Sequence, residues 1–244
     1  MSGNGNRVNY VFCLPGHPSS STQAMSVRDT ITQLEARDKT YAVITQLDNN
    51  IYRVRNSSLS PLINIGTPDA PHMAVNLRED QKPFEGMFDD YEKIIWVDSD
   101  NWISAPALRK LLSYDVDIVA AWYRIYMGGP INELNRVSAG FDFPGKKRHR
   151  PLIVEEIPTQ PRNELGLVEV DWTGFGLCVI KKGVFEAVGY PWFYGDVFRW
   201  EEDGVKMAAI VDDDWGFCRR ARDKGFKIFI DPECYILHEK KVAV

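Results

Sequence analysis

Short apolar runs, each closed by a polar or Gly/Pro-bearing turn, dominate the chain, and most have the length of a buried strand. Asn9 to Leu14, Tyr41 to Leu47, Ile94 to Val97, Asp117 to Trp122, Leu167 to Asp171, Leu177 to Ile180 and Phe226 to Ile230 read this way. Longer polar-faced stretches between them read as helices. Thr22 to Arg37 is one, and Ser104 to Ser113 is another, with Ser104 as cap and Pro106 in its first turn. The stretch from Asp212 to Gly225 is a third: acids crowd its start, bases its end, and a glycine stops it. Ser57 to Pro71 reads as loop, with a helical pattern resuming from His72 to Arg78. Strand and helix alternating in this order predict an α/β fold, with a mixed, mostly parallel central sheet flanked by helices. One domain over residues 1–244 is expected, its two halves falling at about 8–122 and 123–244.

The second half is less regular. Met127 to Pro161 is rich in Gly, Pro and charge and carries Lys146-Lys147-Arg148-His149-Arg150, the pattern of a solvated hairpin or loop. Trp172-Thr173-Gly174-Phe175-Gly176 places two glycines between strand-like halves, which suggests a bulge or a close approach of a ligand to backbone. Pro191 to Lys206 reads as an irregular loop, and Asp231-Pro232 as a turn before Tyr235-Ile236-Leu237-His238.

Composition narrows the field. Hydrophobic residues are 44% of the 244 and charged residues 26%, with 7 Trp, 10 Tyr and 12 Phe, so a sizeable aromatic core is available. A net charge of −5 argues against nucleic acid as a partner. No apolar run reaches the roughly 20 residues of a membrane span, and Met1 to Arg7 is polar, so a cytoplasmic protein is expected. Cys13, Cys178, Cys218 and Cys234 sit in apolar runs without paired spacing and read as reduced core residues.

The candidate chemistry gathers at strand ends. Ile94-Ile95-Trp96-Val97 delivers Asp98 and Asp100, which as i and i+2 can converge past the sheet on a hard divalent cation such as Mn²⁺ or Mg²⁺. An acid-rich turn can equally serve backbone amides. A calcium loop is excluded, because Trp102 and Ile103 stand where an oxygen ligand and a glycine are needed. Pro15 opens a loop between strand and helix, the place where α/β folds offer amides to a nucleotide. Asp48, after the second strand, is a candidate for a base or ribose, and Arg78 for a phosphate. Trp172 can stack on a sugar. Asp212-Asp213-Asp214 exceeds what capping needs, and three adjacent acids repel, which marks a candidate site. His238 follows an apolar run that can return it to the sheet edge as a ligand.

These pieces, in this order, resemble the GT-A glycosyltransferases, especially their family 2-like members. The resemblance rests on Asp98-Ser99-Asp100, Trp172-Thr173-Gly174-Phe175-Gly176, Asp213-Asp214 before Phe217-Cys218-Arg219-Arg220-Ala221, Lys224 to Lys227, and Leu237-His238-Glu239-Lys240. It implies a UDP- or GDP-sugar donor on the first half, held partly by Pro15, Asp48, Arg78 and Ser99, and a divalent cation on Asp98, Asp100 and His238. It implies an acceptor hydroxyl on a glycan, lipid-linked or protein-linked substrate, with Trp172, Thr173 and Gly174 near it. In inverting members the last acid of the family's Glu-Asp motif is the general base, which maps onto Asp214. Asp213 stands where the family has Glu, so both acids remain candidates for reaching the acceptor.

Four rival readings remain open. A retaining GT-A enzyme shares the acid pair and late histidine. A glycoside hydrolase uses two carboxylates but has no need of a strand-end metal pair. A sugar-nucleotide nucleotidyltransferase normally carries a basic loop after its first strand, which Pro15 to Ser21 lacks. A non-catalytic carbohydrate-binding protein leaves the spaced acids and His238 without a task.

Overall fold

A computed structural model describes residues 7–16, 21–35, 39–47, 50–60, 80–88, 90–125, 135–143, 149–202 and 204–239. In chain order the elements are β1 (Tyr10–Pro15), α1 (Ser21–Glu35), β2 (Tyr41–Gln46), α2 (Ile51–Leu59), β3 (Lys93–Trp96), β4 (Asn101–Trp102), α3 (Ala105–Ser113) and β5 (Ile118–Trp122). There follow β6 (Arg136–Asp142), β7 (His149–Ile153), a 3-10 turn (Val154–Thr159), β8 (Val168–Val170), β9 (Trp172–Thr173), β10 (Cys178–Lys181) and α4 (Val184–Val188). The last are β11 (Asp196–Glu202), β12 (Val205–Val211), α5 (Asp213–Asp223), β13 (Ile228–Tyr235) and β14 (Leu237–His238).

A seven-stranded sheet in the order β2-β1-β3-β10-β5-β13-β8 forms the centre. β2, β1, β3, β5 and β13 run one way, and β10 and β8 run the other, so the sheet is mixed and mostly parallel, as the alternation of elements predicted. Strand alternation feeds two cores. On β3, Ile94 and Trp96 join one face while Ile95 and Val97 join the other. The first face packs an aromatic cluster in which Phe193 lies 5.3 Å from Trp96, 5.6 Å from Phe175 and 5.3 Å from Phe217, centroid to centroid. The second is richer in aliphatic residues, among them Leu108 and Leu111 of α3 with Val119 and Val179, and includes Phe12 and Phe229. All four cysteines are buried and unpaired, as expected. Among the described residues, no helix is long and apolar enough to cross a membrane.

Several boundaries differ from the sequence reading. The loop predicted from Ser57 begins later, because α2 runs to Leu59; Asn50 caps it by accepting from Arg53 N at 3.1 Å, and Ser58 and Leu59 are buried. Within Pro191 to Lys206, residues 196–202 and 205–206 are strand, one arm and the start of the next in the hairpin β11–β12, in register from Asp196↔Val211 to Glu202↔Val205. Asp231-Pro232 does not end its strand. β13 continues to Tyr235 with a register shift after Ile230, which accommodates the proline that cannot donate to a ladder. Met127 to Pro161 contains the hairpin β6–β7, where described. The helix predicted at His72 to Arg78 lies outside the described residues.

Phe193→Ala, which opens a void at the centre of the aromatic cluster, is expected to cost about 3–5 kcal/mol. Val197→Ala, at a position 43% exposed, should change stability by less than about 0.5 kcal/mol. Urea denaturation of both measures this; similar losses would place the core elsewhere.

Candidate functional site

β3 stops where its apolar run stops, and the turn that follows is pinned from several sides. Asp98 N donates to Phe175 O at 3.3 Å and Asn101 N to Asp98 O at 3.2 Å. Gly16, at φ +86, lies against this turn: a Cβ there would meet Ser99 Oγ at 3.0 Å. Glycine therefore allows both the left-handed turn and the close approach. The contact brings Pro15 and Ser99 together on the wall of one cavity of about 410 Å³, otherwise lined by residues such as Val27, Ile31 and Val43. Asp48 and Arg78 lie outside the described residues.

Asp98 and Asp100 meet different partners. Asp98 turns toward α2, where Arg55 Nη2 lies 2.9 Å from Oδ2 and 3.1 Å from Oδ1, and Trp96 Nε1 donates to Oδ1 at 3.1 Å. Asp100 meets His238, with Oδ2 2.9 Å from Nε2. β3 ends at Trp96 and residues 99–100 form a turn, so the i, i+2 rule does not apply to the two acids.

Arg55 is the residue the sequence reading missed. Its side chain is only 5% exposed, ringed by Phe175, Phe193 and Trp96 with the guanidinium carbon 5.1 to 5.8 Å from their centroids. Its Nη1 lies 3.0 Å from Asp213 Oδ2, so one guanidinium bridges the acid at the end of β3 and the acid at the start of α5. Burial opposes its charge, but Asp98 and Asp213 outweigh that and raise its pKa. Burial also pushes the Asp98 carboxyl upward, against the pull of Arg55. The helix start at Asn50, with Val54 and Leu59 on one face, was the available signal.

His238 reaches Asp100 because β14 zips onto β4, pairing His238 with Asn101 and Leu237 with Trp102. Glu239 N donates to Asp100 O at 2.7 Å, and Trp102 Nε1 to Glu239 Oε2 at 3.2 Å. The other imidazole nitrogen, Nδ1, lies 3.2 Å from the carbonyl oxygen of Arg124, and the Tyr123 ring packs 4.8 Å away. A neutral imidazole has one N–H, yet both of its nitrogens face oxygen acceptors. A second proton or a cation resolves that conflict. Beside it, both side-chain polar atoms of fully buried Asn101 lack a hydrogen-bond partner among the described residues. Asp100 and His238 therefore fit a divalent cation by donor type. Among the described residues no three His, Cys, Asp or Glu side chains gather around one point.

Of the acids at α5, Asp212 is the exposed cap residue, Asp213 is taken by Arg55, and Asp214 Oδ1 accepts from Trp215 N at 2.9 Å. Burial pushes the Asp214 carboxyl up to about 7; Arg55 pulls against this, while Asp213 and Asp98 add to it. Tyr52 of α2 feels burial and the charges of Asp213, Asp212 and Asp214, which raise its pKa.

Trp172, Thr173 and Gly174 form the buried support behind this helix. Thr173 is fully enclosed, its carbonyl accepting from Cys218 Sγ at 3.6 Å. Trp172 meets His149, which in turn lies 4.3 Å from Trp215. A Cβ on Gly174 would fall 2.3 Å from the Tyr123 hydroxyl, and one on Gly176 would strike Tyr123 and Asn101. The glycines thus admit side chains of this chain to the backbone.

This architecture is the GT-A fold that the resemblance implied. Among solved structures, the chain is similar to GalNAc-T7 in a crystal structure with UDP, GalNAc and Mn²⁺, at a TM-score of 0.52 and 11% identity. The similarity covers 99% of this chain and 45% of that one, so the chain spans just under half its length. No family model and no curated protein matches the sequence.

Arg55→Met strands two buried carboxylates and is expected to cost about 3–5 kcal/mol at neutral pH. The loss should shrink as pH falls and Asp98, whose carboxyl burial pushes upward, takes up its proton. Denaturation across that pH range tests this, and an equal loss throughout would assign the cost to packing alone.

Proposed function

We propose that this chain is a metal-dependent glycosyltransferase that moves a sugar from a nucleotide-diphosphate donor to an acceptor hydroxyl, with inversion. The observation that carries this reading is the pairing of Asp100 with His238, 138 residues apart, across an imidazole with acceptors on both nitrogens. Its place on a GT-A fold supports it. The neighbour's UDP and Mn²⁺ make a UDP-sugar the first donor to try, with a GDP-sugar second.

In this reading Asp100 and His238 hold Mn²⁺ or Mg²⁺, with Asp98 the third candidate ligand. A bound cation would supply positive charge against the diphosphate, whose negative charge grows as the glycosyl bond breaks. Pro15, Gly16 and Ser99, on the wall of the 410 Å³ cavity, are the residues we assign to the nucleotide. Asp48 and Arg78 belong to the same proposed donor site. On the other side, Asp214 takes the proton of the acceptor hydroxyl as its oxygen bonds to the anomeric carbon, and the nucleoside diphosphate departs from the opposite face. A carboxyl near 7 retains its proton-accepting strength yet is ionised in a useful fraction at neutral pH. Asp213, neutralised by Arg55, leaves that role to its neighbour. A glycan, lipid-linked or protein-linked hydroxyl is the proposed acceptor, approaching over the Trp172 to Gly174 side.

Calorimetric titration with UDP and GDP, with and without Mn²⁺, tests the donor site. Metal-dependent binding of one nucleotide, lost in Asp100→Ala, is expected; absence of binding under every condition overturns the reading.

Transfer rate should rise with pH through about 7, and Asp214→Asn should lower kcat by about 10²–10⁴-fold. The same residue predicts a stability effect of opposite sense. The folded chain holds this proton up to about 7, whereas an ordinary carboxyl releases it near 3.8, so stability falls as pH rises through that window. Asp214→Asn should therefore melt higher than the parent at pH 8 and lose that advantage below pH 4. A parent whose stability and rate are flat from pH 5 to 8 would remove Asp214 from the mechanism.

A further inference from the structure

Asp98 and Asp100 stand two residues apart, yet they serve different partners. Asp100 faces His238. Both Asp98 oxygens lie within 3.1 Å of Arg55 Nη2, and one also accepts from the Trp96 indole, so its carboxylate is already well supplied with donors. The other arm, Nη1, forms an ion pair with Asp213 at 3.0 Å, outside hydrogen-bond geometry. Three aromatic rings enclose the bridge. A planar guanidinium spreads its charge over both amino arms, so it can pair with two carboxylates at once; an ammonium group is a single point charge. A cation that recruited Asp98 would have to break these contacts and leave Arg55 buried with half its compensation.

We propose that Arg55 is a positioning residue that withholds Asp98 from the cation by clamping it to Asp213. This rests on the transferase reading. In the donor-free protein the cation is then held by Asp100 and His238, and its remaining positions await phosphate oxygens of the donor, the way small divalent ions are commonly shared between one or two carboxylates and a nucleotide. The bridge also keeps the donor side and α5 in register: the side chain that restrains Asp98 occupies Asp213 and leaves Asp214 as the unclamped acid. Cation affinity and base placement thus meet in one guanidinium.

The test is titration of the full chain with Mn²⁺ alone, free ion being read by electron paramagnetic resonance. Asp98→Asn is expected to bind Mn²⁺ within about threefold of the parent, while Asp100→Asn binds at least about tenfold more weakly. Arg55→Met, which frees Asp98, should bind at least about tenfold more tightly than the parent, and the gain should vanish in Arg55→Met/Asp98→Asn. A purely structural role for Arg55 would not produce that gain. Should Arg55→Met fail to fold, Arg55→Gln replaces it, since a neutral amide cannot hold Asp98 in an ion pair; tighter binding is again expected. Loss of Mn²⁺ in Asp98→Asn equal to that in Asp100→Asn, or no gain in a folded Arg55 variant, overturns the proposal. Absence of Mn²⁺ binding in the parent and every variant overturns the cation reading beneath it, a result distinct from a parent that binds and an Asp98→Asn variant that does not.

Discussion

A single buried guanidinium sets the electrostatics of this molecule. Asp98, Asp213 and Asp214 arrive from two elements far apart in sequence, at the edge of an aromatic core where water is scarce, and like charges so placed repel strongly. Arg55 offsets two of them. The environments of the remaining acids follow from that choice: Asp214, near the bridge but outside it, is pushed up to about 7, and Asp100 finds its partner in His238. Without a cation in this place, α5 could not begin against the end of β3 with its acids ionised.

The rest of the fold brings that cation there. α2 carries Arg55 inward because Asn50 caps the helix and Val54 and Leu59 bury one side of it. Asn56 ties the same helix to the segment before β11: its side chain donates to Phe193 O at 2.5 Å and accepts from Phe193 N at 3.2 Å. Phe193, Phe175 and Trp96 then wall the guanidinium, so the core that stabilises the sheet also provides the low-dielectric surroundings that make the bridge strong. On the opposite flank β14 closes onto β4 by only two residue pairs, enough to return His238 to Asp100.

Much of this was legible from residues alone. The run Ile94 to Val97 declared a buried strand, and its abrupt end in Asp98 and Asp100 declared a site. Ser104, Pro106 and Gly225 marked helix limits that the structure keeps, since caps and breakers act through local backbone chemistry. The four cysteines declared core. Less legible were α2, whose Arg53 and Arg55 look like a solvated face, and the hairpin β11–β12, where Val197, Val205 and Ile210 remain exposed and so blur the alternation that reveals a strand. Asp231-Pro232 reads as a turn by its residue types, yet the pull of neighbouring strands carries β13 through it.

The sequence by itself determined the central strands β1, β2, β3, β5 and β10, the helices α1, α3 and α5, and which of their ends carry acid. Those properties depend on periodicity and on neighbours a few residues away. Only the tertiary structure decided how the acids are shared. Whether Asp98 meets Asp100 or Arg55 depends on a helix 43 residues upstream, and whether His238 is a surface residue or Asp100's partner depends on a strand pairing that spans 138 residues. Electrostatic partnership is a matter of ångströms in space, and no local pattern in the chain encodes it.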